Sequence, residues 1–342
     1  MRLRVAPTHV CTTKRTSMRA EMRVTILTAL VLALGAASTA WAQAWPARPI
    51  TLIVSSAPGA GVDFFARILA DKLPARLGQP VIVDNRPGAS GMIAAGMAAK
   101  AAPNGYTLFL MPNTLMIAPY VLSKSASTVN VISELAPVIM PVSTVMVLAV
   151  NGKFGVNSVQ ELIALAKREP GLAYASGVNG SPMHVLGEQF KKDAGLDLVF
   201  VPYKGVAQSV SATIGGQINV IWMPTSGNMQ YFKAGMLRAL ATAAPKRTPL
   251  MPDVPSMIEL GYKDIEATAW FGLLAPLATS AAIIGRLNQE VNAVLTAPDV
   301  REKLILAGYA PEGGEPAALA AQMRDDDSRY KRLIAELKIT AN

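Results

Sequence analysis

A glycine-containing loop near the start of the chain has the residue types of an anion-binding helix start. It reads PGAGVD from residue 58 to residue 63, after a predicted strand and before a predicted helix. Two glycines permit a tight turn, and Asp63 can cap the helix and leave the first backbone N–H groups available to an anion. A dinucleotide fingerprint is the alternative, with Asp84 ending the next strand, but Phe64 stands where its third glycine is required. The loop therefore favours a small anion.

Other helix starts follow the same arrangement of loop, polar residue and helical pattern. They are Ser90, Ser181 with Pro182 behind it, and either Ser209 or Ser226. Unpaired N–H groups and the helix dipole favour a carboxylate at such positions. Simple capping explains any one of them alone. Several converging on one cleft predict a receptor for small organic acids.

Histidine and cysteine are too scarce for most catalytic or metal chemistry. The 342 residues include two histidines and one cysteine, and His184 is the only histidine beyond the N-terminal segment. There is no G-x-S-x-G elbow and no H-E-x-x-H motif. We expect His184, in the first turn of a helix, to be structural or at the edge of a cleft. The sequence therefore predicts no enzyme, no cofactor and no metal, with an exported hydrolase as an alternative.

Short β-rich runs alternate with helical patterns through the chain, which predicts an α/β fold with mostly parallel sheets. Strands are predicted at 50–55, 80–84, 107–111, 172–176, 198–203, 219–223, 237–242 and 266–276, and helices at 64–77, 92–101, 184–192 and within 281–337. The apolar stretch 137–150 is interpreted as two strands or one long strand. The charge run 324–332 (RDDDSRYKR) is interpreted as a solvated helix face.

The spacing of the long strand regions predicts two lobes. The segment between 137–150 and 267–276 is long enough for a complete α/β domain. We expect residues 43–145 and 268–342 to form lobe 1, and residues 146–267 to form lobe 2. Ligands of such folds bind in a cleft at the carboxyl ends of the strands.

The first 42 residues have the pattern of a secretory signal peptide. Six basic residues precede an uncharged run at 24–37, and Ala40-Trp41-Ala42 supplies a small-residue cleavage pattern. A membrane anchor is the alternative, but the run is shorter than the ~20 residues that span a bilayer. We predict cleavage near Ala42 and a periplasmic location. The translation start is open between Met1, Met18 and Met22.

The positive charge of the chain is concentrated in that segment. The formal net charge is +9, from 32 basic and 23 acidic residues, and residues 1–42 contain six of the basic and one of the acidic residues. The remaining charge of about +4 is spread along the chain, whereas phosphate binding needs clustered Lys and Arg. Cys11 also lies in the segment. The composition therefore predicts no nucleic-acid partner.

The chain after residue 42 resembles a known family along almost its whole length. The segments that carry the resemblance are PGAGVDFFARILADKL, LGQPVIVDNRPGASG, AKAAPNGYTLFL, ELIALAKREPG, VPYKG, GGQINV, AGMLRALATAAPKR, MPDVPSMIELGY and WFGLLAPLATS. In this order they resemble the substrate-binding receptors of tripartite tricarboxylate transporters, the Bug family of periplasmic solute-binding proteins.

The resemblance implies a two-lobed, periplasmic-binding-protein-like fold of type II, the Venus flytrap, each lobe a mostly parallel sheet flanked by helices. It implies a monomeric receptor that captures a small organic acid and delivers it to integral membrane permease subunits of a tripartite transporter. A sensory receptor that signals to a membrane kinase would have the same fold. A structural scaffold would show no ligand-dependent stability. Which carboxylate binds is open.

The resemblance and the loop positions together predict the ligand-binding residues. They are Ser56, Pro58, Gly59, Ala60, Gly61, Asp63, Asn113, Thr114, Ser176, Gly180, Ser181, His184, Tyr203, Lys204, Gly205, Trp222 and Met223. Asp63 is expected to shape its loop, because a bare carboxylate would repel an anionic ligand.

Departures from the family pattern suggest a less polar cleft. The family usually has an aromatic residue at Ser56, glycine at Ala60, threonine at Val62, and Phe-Asp-Asn where this chain has Trp222-Met223-Pro224. One hypothesis is a ligand with an apolar or aromatic body stacked near Trp222. The other is that Trp222 packs in the core.

Overall fold

The computed structural model describes residues 45–123, 129–177 and 179–340. The predicted signal peptide 1–42 and its cleavage site lie outside the described residues. Residues 48–342 form one compact unit. No helix among the described residues is long and apolar enough to cross a bilayer.

The described residues form ten strands, in the order expected of an α/β protein. They are β1 (Ile50–Val54), β2 (Val81–Asn85), β3 (Thr107–Pro112), β4 (Leu135–Asn151), β5 (Leu172–Ser176), β6 (Leu198–Pro202), β7 (Val220–Pro224), β8 (Leu237–Thr242), β9 (Thr268–Pro276) and β10 (Ala310–Pro311). The long apolar stretch is thus one strand, β4.

Helices separate most of the strands. They are α1 (Gly61–Lys72), α2 (Pro74–Leu77), α3 (Met92–Ala99), α4 (Ala118–Val121), α5 (Val131–Glu134), α6 (Val159–Arg168), α7 (Pro182–Ala194), α8 (Val206–Ile214), α9 (Met229–Lys233), α10 (Ala281–Thr296), α11 (Pro298–Leu306) and α12 (Pro316–Leu337), with 3₁₀ turns at Ala89–Gly91 and Asn113–Met116. The single helix predicted at 64–77 is corrected to two, because Pro74 lacks the N–H that would continue the first.

The strands form one continuous sheet in the order β2-β1-β3-β9-β4-β7-β5-β6, with β8 and β10 also paired to β4. Strand β4 pairs with β9 up to Val145 and with β7 from Met146 onward. We call the half that contains β1, β2, β3, β9 and β10 lobe 1, and the half that contains β5 to β8 lobe 2. The predicted residue boundaries of the lobes stay a prediction.

The two-lobed α/β fold predicted from the sequence is confirmed. Outer strands are parallel, since β1 pairs in parallel with β2 and β3, and β5 with β6 and β7. Every pair formed by β4 or β9 is antiparallel, so the sheet as a whole is mixed. Each lobe has its own buried apolar clusters, built around Phe109 and Trp270 in lobe 1 and around Tyr174 and Trp222 in lobe 2.

The interpretation of residues 324–332 as a solvated face is wrong for one stripe of α12. Asp326 and Tyr330 are buried. The Asp326 carboxylate accepts hydrogen bonds from Trp270 Nε1 at 2.9 Å, Gln322 Nε2 at 3.0 Å and Asn113 Nδ2 at 3.3 Å. Burial raises the pKa of Asp326, and these donors partly offset the rise. The carboxylate ties α12 to β9 and to the turn after β3.

Removing that carboxylate is expected to destabilise lobe 1. Asp326→Ala leaves buried donors without an acceptor, which costs about 2–3 kcal/mol of unfolding free energy. The control is Asp325→Ala, since the neighbouring Asp325 is exposed and such surface changes stay within about 0.5 kcal/mol. Urea unfolding measures both. Equal stability of the two variants would contradict this role of Asp326.

Candidate ligand-binding cleft

The loop after β1 presents buried hydroxyl groups that have no protein partner. Ser55 is 7 % exposed, and the hydroxyl oxygens of Ser55 and Ser56 are buried without a hydrogen bond among the described residues. The next three residues, Ala57 to Gly59, are exposed. Buried polar groups are normally paired, because an unpaired one has lost its water without compensation. Such hydroxyls suit a ligand or an ordered water.

Asp63 is a structural residue of this loop. Its carboxylate accepts from Gly59 N at 2.8 Å, Arg67 Nε at 2.8 Å and Asn85 Nδ2 at 2.9 Å. Burial raises its pKa, but the hydrogen bonds outweigh burial and the pKa is lowered overall. Asp63 thus shapes the loop as expected, although it is not the helix cap.

Helix α1 begins without a side-chain cap. Its N-cap is Ala60, and no side chain bonds to the first turn from that position. The N–H groups of Gly61 and Val62 therefore have no intrahelical acceptor. Together with the helix dipole they form a site of partial positive charge beside the loop hydroxyls.

Lobe 2 has a matching arrangement at the end of β5. Ser176 is fully buried and its hydroxyl has no partner in the described chain. The following turn is held by Tyr203, whose N–H donates to Gly177 O at 3.0 Å. A Cβ atom on Gly177 would lie 3.3 Å from Met183 Cε and 3.7 Å from Val206 N. The starts of α7 and α8 therefore meet beside Ser176.

Helix α7 starts as the sequence predicts. Ser181 is its N-cap and accepts from His184 N at 3.4 Å, with Pro182 in the first turn. Helix α8 starts differently, because Gly205 is its N-cap and Ser209 lies inside the helix, where its hydroxyl donates to Val206 O.

His184 holds the turn that precedes α7. Its Nδ1 accepts from Gly180 N at 3.1 Å, so the neutral ring carries its proton on Nε2. The ring stacks on Phe200 with centroids 3.8 Å apart. The pKa of His184 is lowered to about 4, mainly by burial. The charge of Glu188 raises this pKa and that of Lys191 lowers it, each by less than burial does. His184 is therefore a neutral support of the turn.

Residues of the two lobes touch at the ends of these loops. A Cβ atom on Gly180 would lie 2.7 Å from Val121 Cγ2 in α4. Asn179 Nδ2 donates to Thr340 O at 3.0 Å, near the end of the chain. Gly180 has φ +70°, which glycine adopts without strain. The lobe 2 turn therefore closes against lobe 1.

Several predicted residues have other roles. Asn113 is 1 % exposed, and its amide donates to Thr268 O at 3.0 Å and to Asp326. It is engaged in packing, and the adjacent Thr114 is half-buried in the same turn. These contacts belong to the lobe 1 core.

Trp222 and Met223 are core residues. Trp222 is 1 % exposed and meets Phe190 edge-on, with ring centroids 6.4 Å apart. Met223 is fully buried on the opposite face of β7. A ligand could not stack on the Trp222 ring in this arrangement, because α7 already covers it. The hypothesis of an aromatic ligand stacked on Trp222 is therefore not supported.

The remaining predicted positions lie on loops. Lys204 is exposed, Tyr203 and Gly205 are half-buried, and Lys204 N donates to Gln208 Oε1. Ser90 is not a helix cap, because α3 begins at Met92 with Gly91 as its N-cap. Ser226 precedes α9, whose N-cap is Asn228.

Sequence reasoning missed three residues of the cleft region. The sequence places Ser55 at the end of a predicted strand, but its hydroxyl, like that of Ser56, is buried without a partner in the described chain. Asn85 joins the first loop to β2, since its amide donates to Ser56 O at 3.0 Å. Asn179 has a buried carbonyl oxygen without a partner in the described chain. A polar residue at the carboxyl end of a strand is the signal that could have found Ser55 and Asn85, whereas Asn179 lies three residues beyond β5.

Acidic, histidine and cysteine side chains do not gather into any metal-binding group of three or more within residues 45–123, 129–177 and 179–340.

The fold and the paired loops define a two-lobed solute-binding protein, and comparison with known proteins gives its family. Residues 65–339 match the tripartite tricarboxylate transporter family receptor. Protein BugT of Bordetella pertussis is 35 % identical over 296 residues, which cover 86 % of this chain and 91 % of BugT. A UPF0065 protein in the tcbD-tcbE intergenic region of a Pseudomonas species is 32 % identical over 301 residues, covering 87 % of this chain and 89 % of that protein.

Solved structures agree with the sequence relatives. Periplasmic binding protein BugD has a TM-score of 0.77 at 28 % identity, covering 87 % of this chain and 100 % of BugD. Rpa4515 of R. palustris with adipate has a TM-score of 0.79 at 30 % identity, covering 86 % of this chain and 99 % of Rpa4515. MatC of Rhodopseudomonas palustris with bound malate has a TM-score of 0.75 at 26 % identity, covering 85 % of this chain and 100 % of MatC. The chain belongs to the tripartite tricarboxylate transporter receptor family, the Bug family of periplasmic solute-binding proteins.

The burial of neutral His184 predicts a pH dependence of stability. Its pKa falls from 6.5 to about 4 on folding, so the unfolded chain binds more protons between these values. The contribution of neutral His184 to the free energy of unfolding is complete above pH 6.5. It is lost as the pH falls toward 4, by up to about 3 kcal/mol. In His184→Gln, which keeps an acceptor for Gly180 N, unfolding free energy should depend less on pH over this range. Identical pH profiles of variant and parent protein would contradict the assignment.

Proposed function

We propose that this protein is a receptor for a small dicarboxylate, which it captures between its two lobes and delivers to a membrane permease. One observation carries the proposal. Three serine hydroxyls, those of Ser55, Ser56 and Ser176, are buried at the carboxyl ends of β1 and β5 without partners in the described chain. Strand β1 belongs to lobe 1 and β5 to lobe 2, so each end of a diacid could meet one set of donors.

Charge around these hydroxyls suits an anion. The N-terminal turns of α1 and α8 lack side-chain caps and supply backbone N–H donors. Asp63, the acid beside the first loop, is neutralised by Arg67 at 2.8 Å. His184 is uncharged at neutral pH. A carboxylate would therefore be held by neutral donors and helix dipoles.

The relatives support the class of ligand. Adipate and malate, which accompany two related proteins of known structure, are both aliphatic dicarboxylates. The core position of Trp222 removes the reason to expect an aromatic acid. An aliphatic dicarboxylate of about the size of malate or adipate is therefore the ligand class proposed for this chain.

Binding would act by favouring the closed arrangement. Donors on both lobes reach one ligand only when the lobes are close, so a ligand shifts the population toward closure. No bond is broken in this process, and the chain needs no catalytic group for it. The closed form is the form that the permease would recognise.

Ligand binding should stabilise the protein in a way that depends on Ser176. Thermal unfolding of residues 43–342 with malate, adipate, citrate, glutamate and benzoate should give its largest shift with a dicarboxylate, since about 2.7 kcal/mol is gained at 100 times the dissociation constant. Ser176→Ala should weaken binding by about 5- to 30-fold, because one donor to a charged group is lost.

The control is Ser328→Ala, because Ser328 is exposed on α12 and should leave affinity unchanged. Absence of any acid-dependent shift, after bound ligand has been removed by unfolding and refolding, would refute the proposed function. A dicarboxylate shift that Ser176→Ala leaves intact would keep the function and reject this residue.

Export to the periplasm completes the proposal. The basic, apolar and A-x-A segments of residues 1–42 have the order of a cleavable signal peptide. The protein expressed in full should be released by osmotic shock with Gln43 as its first residue, which intact mass measurement checks. Retention of residues 1–42 in the membrane fraction would instead indicate an anchor.

A further inference from the structure

The turn after β7 in lobe 2 is bonded directly to the segment that follows α11 in lobe 1. Thr225 Oγ1 donates to Gly308 O at 2.9 Å, and Gly227 N donates to Ala307 O at 2.7 Å. Thr144 of β4 also donates to Gly308 O, at 3.1 Å. Both threonines are at most 2 % exposed. This cross-lobe contact is thus a buried polar seam outside the β4–β9 pair.

Gly308 lets the two segments approach so closely. Its φ is +82°, and a Cβ atom there would lie 2.5 Å from Thr225 O. A side chain would therefore push the lobe 2 turn away. The path of the chain at Gly308 also fixes the position of the next residue, Tyr309.

Tyr309 connects this seam to the first ligand loop. Its hydroxyl donates to Gly61 O at 3.0 Å, and Gly61 is the first residue of α1. The ring lies parallel to Phe64 at 5.8 Å and tilted against Phe271 at 5.7 Å. Burial raises the pKa of Tyr309 to about 12, and the nearby Ser226 hydroxyl lowers it. The phenol is therefore a neutral donor, and the two residues before it, Ala307 and Gly308, accept the hydrogen bonds from lobe 2.

We propose that Tyr309 is a positioning residue that couples the approach of lobe 2 to the placement of the α1 N-terminus. The inference rests on the proposed function, in which that N-terminus meets one carboxylate of the ligand. When Thr225 and Gly227 are hydrogen-bonded to Gly308 and Ala307, the Tyr309 hydroxyl donates to the Gly61 carbonyl. The first turn of α1 is then fixed in the closed arrangement. Tyr309 itself does not touch the ligand.

The test removes the hydroxyl and keeps the ring. In Tyr309→Phe, the dissociation constants for malate and adipate, measured by titration calorimetry, should rise about tenfold. Thr225→Val, which removes the hydroxyl bond to Gly308 O, should also raise them. The double variant should be no weaker than Tyr309→Phe alone, because both changes break one chain of contacts. The control is Tyr120→Phe, which removes a phenol hydrogen bond to Asp327 within lobe 1 and should leave the affinities unchanged.

A second readout needs no ligand. Amide hydrogen exchange of the peptide 57–66 should quicken in unliganded Tyr309→Phe and Thr225→Val, but not in Tyr120→Phe. Parent-like exchange in both variants, or parent-like affinity of Tyr309→Phe, would overturn the coupling. Faster exchange in a protein whose parent form binds no acid would leave the coupling standing and refute the proposed function.

Discussion

The architecture depends on one strand that serves both lobes. β4 is 17 residues long, about 55 Å if fully extended, and is hydrogen-bonded to β9 and β10 in one half and to β7 and β8 in the other. Because its N–H and C=O groups are committed on both sides, the lobes cannot separate without loss of the sheet. The partner of β4 changes at Val145, so bending there would move one half of the sheet relative to the other without breaking a strand pair.

The same sheet fixes the positions of the neutral donors that we propose for the cleft. The loops after β1 and β5 follow two strands of one continuous sheet, in which β9 and β4 lie between β1 and β5. The hydroxyls of Ser55, Ser56 and Ser176 are buried without partners in the described chain. The backbone of the first loop is held by hydrogen bonds from Ser55 N to Leu110 O and from Asn85 Nδ2 to Ser56 O. Their desolvation is a standing cost that a ligand with carboxylate oxygens would remove.

Charged side chains close to the cleft have a supporting role. Asp63 binds its own loop, and Glu188 accepts from Tyr174 and Lys191 behind His184. Asp326 organises the opposite side of lobe 1 through Trp270 and Asn113. The ionisable groups thus hold backbone segments in place, and in the proposed function the ligand meets hydroxyls and helix N-termini.

Local sequence determined the elements whose signals are local. Ser181 with Pro182 predicted the start of α7, because a cap acts within one turn. Alternating strands and helices likewise determined the α/β class. The segments that the chain shares with the Bug family are sufficient to identify the family from the sequence alone.

Only the tertiary structure decided which side chains face the cleft. Trp222 and Asn113 have the types of binding residues, but Phe190 covers the first and Asp326 binds the second, and those partners lie 32 and 213 positions away. The buried stripe of α12 within a charge run, and the bond from Tyr309 to Gly61, arise in the same way. Long-range packing leaves no local pattern in the sequence, because each partner is chosen by the fold that brings it near.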